Sequence, residues 1–204
     1  GGTFVKKRKE YIYGTSELTE KVDHVELTYS VRSFFQANPQ LLPELCKAVK
    51  ELAEPCNKGV MMDIFCGVGL FALYLSSSFK EIYGIESAPC SVAMATKNAE
   101  KNGVKSVKFV RDMAQERFRQ FMATGIEPGL VVLDPPRSGL GESVVASLNS
   151  LRPSPVLVLV SCNPQTLADD ISGLTAGGYK LERVIPVDMF PQTDHLEVVA
   201  RLTR

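Results

Sequence analysis

Val156-Leu-Val-Leu-Val-Ser161, followed at once by Cys162-Asn163-Pro164, decides the fold. A run of valine and leucine with no polar alternation describes a strand covered on both faces, as in a parallel sheet between two helical layers. Pro164 has the fixed φ that suits the first position of a helix, so the chain turns from strand to helix at Cys162. A thiol is therefore expected at the carboxyl end of a central strand, where open α/β sheets bind ligands.

Outward from this run, strand and helix text alternates. Strands are predicted at Val60–Phe65, Glu81–Glu86, Val107–Arg111 and Leu130–Asp134, and helices at Pro39–Glu54, Leu70–Ser78, Ser91–Asn102, Met113–Ala123, Glu142–Leu151 and Gln165–Ala176. Two more strands, Tyr179–Pro186 and Leu196–Leu202, end the chain without a helix between them. That order predicts an α/β fold: a mostly parallel seven-stranded sheet, helices on both faces, and a final antiparallel strand. Ahead of it, Glu10–Tyr13 and Val25–Tyr29 read as short strands separated by polar turns. Residues 1–30 are expected to be a leading hairpin or the remnant of a preceding domain, and 31–204 the main domain.

Composition narrows the chemistry. The 204 residues are 45% hydrophobic, enough for one α/β domain with a core. No apolar run reaches the roughly 18–20 residues that span a bilayer, and the start lacks a signal-peptide pattern. A cytoplasmic, monomeric protein without a membrane partner is expected. Lys+Arg equals Asp+Glu at 23 each, so a nucleic-acid partner would need much of its grip from elsewhere. The basic cluster Lys6–Lys9 fits a solvated face. Five cysteines, an odd number without a C-x-x-C pair, argue against a disulfide framework, a zinc ribbon and a cluster site. Cys46, Cys56 and Cys90 read as small buried hydrophobes.

Asp63-Ile-Phe-Cys-Gly-Val-Gly69 lies between the first strand of the sheet and the next helix. Gly67 and Gly69 allow backbone to approach a ligand where a Cβ would clash, although a tight structural turn gives the same text. The second strand ends at Glu86, 23 residues after Asp63, where an acid is placed to bind ribose hydroxyls. Ala72 stands where a third glycine would cradle a pyrophosphate, which favours a nucleoside such as S-adenosylmethionine over a dinucleotide. Asp112, after the third strand, is read either as an acceptor for an adenine amino group or as a helix N-cap.

Asp134-Pro-Pro-Arg137 ends the fourth strand, because proline cannot continue a central ladder. Its carboxylate is expected to face the cleft and meet a planar base edge. Glu197 interrupts the apolar text of Leu196-Glu-Val-Val-Ala200. A partly desolvated carboxylate there would have its pKa raised toward the range useful to a general base. His195 is either a second polar group at the site or a loop residue. Taken alone, Cys162 reads as an inert buried thiol, and Phe34 and Phe35 read as core.

These residues resemble the RNA 5-methyluridine (uracil-5-) methyltransferase family. The likeness runs from about Leu27 to Arg204 through Phe34-Phe-Gln-Ala-Asn38, Asp63–Gly69, Gly84-Ile-Glu86, Asp134–Arg137, Ser161–Leu167 and Asp188–Glu197. It implies a Rossmann-like class I methyltransferase domain using S-adenosylmethionine on uridine in ribosomal or transfer RNA. The Ser161–Leu167 and Asp188–Thr193 wording resembles the ribosomal branch. By the same likeness Cys162 is the nucleophile and Glu197 the base. Gln36, Phe65, Leu70, Glu86 and Asp112 match donor positions, with Leu70 standing where the family often has a polar residue. Asp134 matches a position near donor and uracil, and Phe34 one that packs on the base. Full-length relatives usually carry N-terminal RNA-binding domains, so this chain is expected to rely on segments beyond it. Two other classes stay open: an amino-group methyltransferase using Asp134-Pro-Pro with a structural Cys162, and a non-catalytic nucleoside-binding module.

Overall fold

The structure, a computed structural model, describes residues 15–204. The strand expected at Glu10–Tyr13 and the cluster Lys6–Lys9 lie outside the described residues. The first element is a hairpin, β1 (Glu17–Val22) and β2 (Val25–Ser30), turning at Asp23-His24. Glu17–Val22, expected to be polar turn, is a strand. Its outward residues are solvated, so the strand shows no apolar alternation and forms by pairing with β2. The hairpin is anchored from its other face, where Val22, Val25 and Leu27 are buried in the core. Asp23 Oδ2 accepts a hydrogen bond from the Tyr74 hydroxyl at 2.8 Å.

After a turn of 3-10 helix at Pro39–Leu41 come α1 (Leu42–Leu52), β3 (Val60–Ile64), α2 (Leu70–Tyr74), β4 (Glu81–Glu86), α3 (Pro89–Lys101) and β5 (Val107–Arg111). Then follow α4 (Ala114–Thr124), β6 (Pro128–Leu133), α5 (Glu142–Ser150), β7 (Val156–Ser161), α6 (Pro164–Ala176), β8 (Lys180–Val187) and β9 (Glu197–Thr203). Expected and observed bounds differ by a few residues. The largest shortenings are α1, which gives up Pro39–Leu41 to the 3-10 turn, and α2, where Ser76–Ser78 tightens to 3-10 helix; serine competes for backbone hydrogen bonds and favours helix ends. Pro164 opens α6 as expected, and Asn163 caps it by accepting from the Gln165 N–H at 3.1 Å.

Seven strands form one sheet in the order β5-β4-β3-β6-β7-β9-β8. Every pairing is parallel except those of β9, which runs antiparallel to β7 and to β8. The apolar text of β7 has the expected cause. Val158 and Val160 face one core with α1, α2 and the hairpin, while Leu157 and Leu159 face another with Phe118, Leu148 and Leu167. Among the described residues no helix is long and apolar enough to cross a membrane. Of the cysteines read as core, Cys46 is buried while Cys56 and Cys90 are only half-buried; Cys90 Sγ lies 3.2 Å from Ser30 Oγ.

Candidate active site

One edge of the sheet gathers the polar residues. β3, β4, β6 and β7 are parallel, so their carboxyl ends meet there. Because β9 runs the other way, its first residue, Glu197, arrives at the same edge. Ser161 on β7 pairs with Val198 on β9. One step beyond that pair, Cys162 leaves β7 alongside Glu197. Both line a cavity of about 760 Å³ that opens over this edge.

Toward β4 the cavity floor is the glycine turn between β3 and α2. Phe65 has φ 64°, a left-handed conformation that costs an aromatic residue on the order of 1–3 kcal/mol and persists only where surroundings enforce it. The enforcing contacts are visible. The Cys66 N–H donates to Ile85 O at 3.1 Å, and the Gly67 N–H donates to Glu86 Oε2 at 3.1 Å. Asp63 Oδ2 accepts from the Ala72 N–H at 2.8 Å. Complete burial pushes the Asp63 carboxyl up to about 7, against the pull of that hydrogen bond and with added repulsion from Glu86. Glu86 also accepts from the Ala88 N–H at 2.7 Å, so it is braced as well as exposed to the cavity.

Toward β9 the electrostatics change. Glu197 is 2% exposed, and its Oε2 is buried with no hydrogen-bond partner among the described residues. Burial raises its pKa from the ordinary 4.5 to about 7, and the Arg137 guanidinium tempers the rise. Asp134 sits between the two sides, at the end of β6. Burial holds its carboxyl well above the usual range, the charges of Glu197 and Asp63 raise it further, and the Gln36 amide opposes them. That amide donates to Asp134 Oδ2 at 3.1 Å. When protonated, such a carboxyl offers both a donor and an acceptor.

Most of the residues singled out in the sequence meet here. Phe34, Gln36, Phe65, Gly67, Leu70, Glu86, Asp134, Cys162 and Glu197 all line the cavity. Phe34, core by residue type alone, is 69% exposed at the rim; Phe35 is the one that packs inward, stacked on Tyr29 at 4.0 Å. Three expected residues stand apart from the lining. Gly69 turns away from the cavity, with φ 92° and its missing Cβ position 2.7 Å from Phe109 Cζ. Asp112 pairs with Arg117 Nη2 at 3.0 Å and accepts from the adjacent Met113 N–H. It does not cap α4, whose N-cap position is Met113. His195 is exposed, its ring edge-on to Phe190. Met113, Arg137 and Phe190 line the cavity without having been assigned a site role from sequence. An apolar residue directly after the strand-end acid was the available signal for Met113.

Comparison with known proteins agrees with this geometry. The profile of the family described as tRNA (Uracil-5-)-methyltransferase matches residues 3–204. An uncharacterized RNA methyltransferase of Enterococcus faecalis is 38% identical over 193 residues, covering 95% of this chain and 42% of the relative. One of Caldanaerobacter subterraneus is 37% identical over 193 residues, with 95% and 42% covered. The chain thus spans less than half the length of these relatives. Among solved structures, the Pyrococcus abyssi tRNA (uracil-54, C5)-methyltransferase in complex with S-adenosyl-L-homocysteine superposes with a TM-score of 0.79 at 33% identity, covering 94% of this chain and 44% of that one. A precorrin-6y C5,15-methyltransferase of Geobacter metallireducens, at 18% identity and TM-score 0.64 over 82% of this chain and 92% of that one, shares the fold alone.

Proposed function

This chain belongs to the tRNA (uracil-5-)-methyltransferase family, and we propose that it is the catalytic unit of an enzyme methylating carbon 5 of a uridine in ribosomal or transfer RNA from S-adenosylmethionine. One observation carries the reading: a thiol and a buried, unpartnered carboxylate stand side by side on adjacent strands, over the cavity that the glycine turn floors.

The donor fits the turn. A Cβ on Gly67, whose φ is 53°, would meet nothing within 4 Å, so room is left where a ligand must approach backbone. Gln36, Phe65, Leu70 and Glu86 would surround it, with Glu86 toward the ribose and Asp112 close by at the end of β5. The two glycines therefore separate in their effects. Gly67→Ala is expected to cost about 1 kcal/mol of stability from its left-handed φ while weakening donor binding by about tenfold or more. Gly69→Ala, with its Cβ driven against Phe109, is expected to lose about 1–3 kcal/mol of stability in addition. Thermal melts and donor titrations of both variants check this; equal losses of binding at equal stability would contradict it.

When bound, the sulfonium supplies an electrophilic methyl group. Carbon 5 of uracil is too weak a nucleophile to take it unaided, so the protein must activate the ring. The Cys162 thiolate adds to carbon 6, and the displaced electrons form an enolate that makes carbon 5 nucleophilic. Once carbon 5 carries the methyl, the Glu197 carboxylate takes its remaining proton. The electrons of that C–H bond restore the 5,6 double bond and expel the Cys162 thiolate. The Asp134 carboxyl suits the uracil edge, Phe34 the face of the extruded base, and His195 the rim.

We read residues 1–30 as an entry hairpin or the remnant of a preceding unit, and 31–204 as the catalytic unit. The balanced charge of this chain, 23 of each sign, and the greater length of its relatives support a grip on RNA phosphates supplied by other segments. The deciding experiment maps 5-methyluridine in ribosomal and transfer RNA from cells lacking the gene, then restores it with the full-length protein. Loss and recovery at one uridine is expected. A missing methyl on an exocyclic nitrogen, with 5-methyluridine intact, would overturn the reading.

A further inference from the structure

The two asparagines of α3 do something the proposed chemistry does not use. In an antiparallel pair every second residue of a strand turns its N–H and C=O away from its partner. For β2 (Val25–Ser30) these residues are Glu26, Thr28 and Ser30, and among the described residues no strand lies on that side. Asn102 accepts from the Glu26 N–H at 2.9 Å and donates to Glu26 O at 2.7 Å. Asn98 accepts from the Thr28 N–H at 2.8 Å and donates to Thr28 O at 2.9 Å. The match is geometric: alternate strand residues repeat every ~6.7 Å and helix residues four apart every ~6 Å. Two side-chain amides thus stand in for a third strand.

The two asparagines differ in their remaining N–H. That of Asn102 returns to Asn98 O inside its own helix at 2.8 Å. That of Asn98, which is fully buried, crosses to Val68 O in the glycine turn at 3.0 Å. From Thr28 the chain continues through Tyr29, stacked on Phe35, and through Ser33, which closes a turn on Ser30. It then delivers Phe34 and Gln36 to the cavity wall.

We infer that Asn98 is a positioning residue that fixes the glycine turn and the Phe34–Gln36 wall to one another through the hairpin. Its single amide bonds both β2 and Val68, so donor floor and aromatic wall keep one spacing. The inference rests on the donor reading of the turn, and it assigns the hairpin a part in the site that its distance in sequence from Asn98 conceals.

The test compares Asn98→Ala, Asn98→Asp and Asn102→Ala in the full-length protein. S-adenosylhomocysteine affinity is read by calorimetry, and amide hydrogen exchange at Gly67–Phe71 and Phe34–Gln36 by mass spectrometry. Both Asn98 variants are expected to weaken the ligand about tenfold, the scale of one buried hydrogen bond, and to speed exchange in both segments together. Asn102→Ala, which frees the same hairpin but no contact to the turn, should leave affinity within about twofold. If Asn98→Ala does not fold, the isosteric Asn98→Asp gives the same comparison. Equal effects at the two positions, or faster exchange in one segment without the other, would overturn the inference. A wild-type protein that binds no S-adenosylhomocysteine would sink the donor reading instead, and the exchange comparison would still decide the coupling.

Discussion

Glu197→Gln is expected to leave RNA bonded to the protein. Glutamine keeps the size of the side chain but cannot accept the proton on carbon 5, so the thiolate has no route of release. Multiple turnover should fall by about 10²–10⁴-fold, the range a positioned general base contributes, while a protein–RNA adduct accumulates on a denaturing gel. The pH profile adds a second signature. Burial raises the Glu197 pKa to about 7. Below that pH the base is increasingly protonated, and wild-type release should drop by about tenfold per unit. The glutamine variant should lack this limb. Turnover equal to wild type, or a wild-type profile flat between pH 5 and 7 with release rate-limiting, would remove Glu197 from this role.

The second large effect belongs to Cys162→Ala. Loss of the only nucleophile in the scheme should reduce methyl transfer by about 10⁴-fold or more. With RNA containing 5-fluorouridine and donor, the wild type should form a stable adduct. Sulfur bonds carbon 6, carbon 5 takes the methyl, and no proton remains there to be removed. The alanine variant should form none. Cys162 is only half-buried, so the fold should tolerate the change, and an unchanged melting temperature confirms that activity alone was lost. Persistent methylation by this variant would favour a direct transfer with a structural thiol.

How much of this was legible in the sequence depended on whether the cause was local. The β7 run announced a doubly covered strand because burial on both faces leaves no place for polar residues. The turn at Gly67 and the acid at Glu86 were visible because strand-to-helix geometry fixes their spacing. The slot of β9 was not: the text shows two closing strands, and only tertiary pairing decides that the later one inserts between β7 and β8. β1 was missed because its alternation is polar and β2 is completed by asparagines some seventy residues away. Asp112 occupies the expected strand end, yet Arg117, one helical turn onward, holds its carboxylate.

The reversed insertion of β9 has a consequence for the segment that precedes it. Sulfur and carboxylate are spaced by the backbone ladder between β7 and β9, not by residues 188–196, which connect β8 to β9 and bring Phe190 to the cavity. The connector is itself tied to the cavity wall, Met189 O accepting from the Asn38 amide at 3.2 Å, so a change in it reaches the cavity through Phe190 while the ladder keeps the register of Cys162 and Glu197. If Cys162 and Glu197 act as proposed, substitutions in this segment reshape the mouth of the cavity without altering the spacing of that pair.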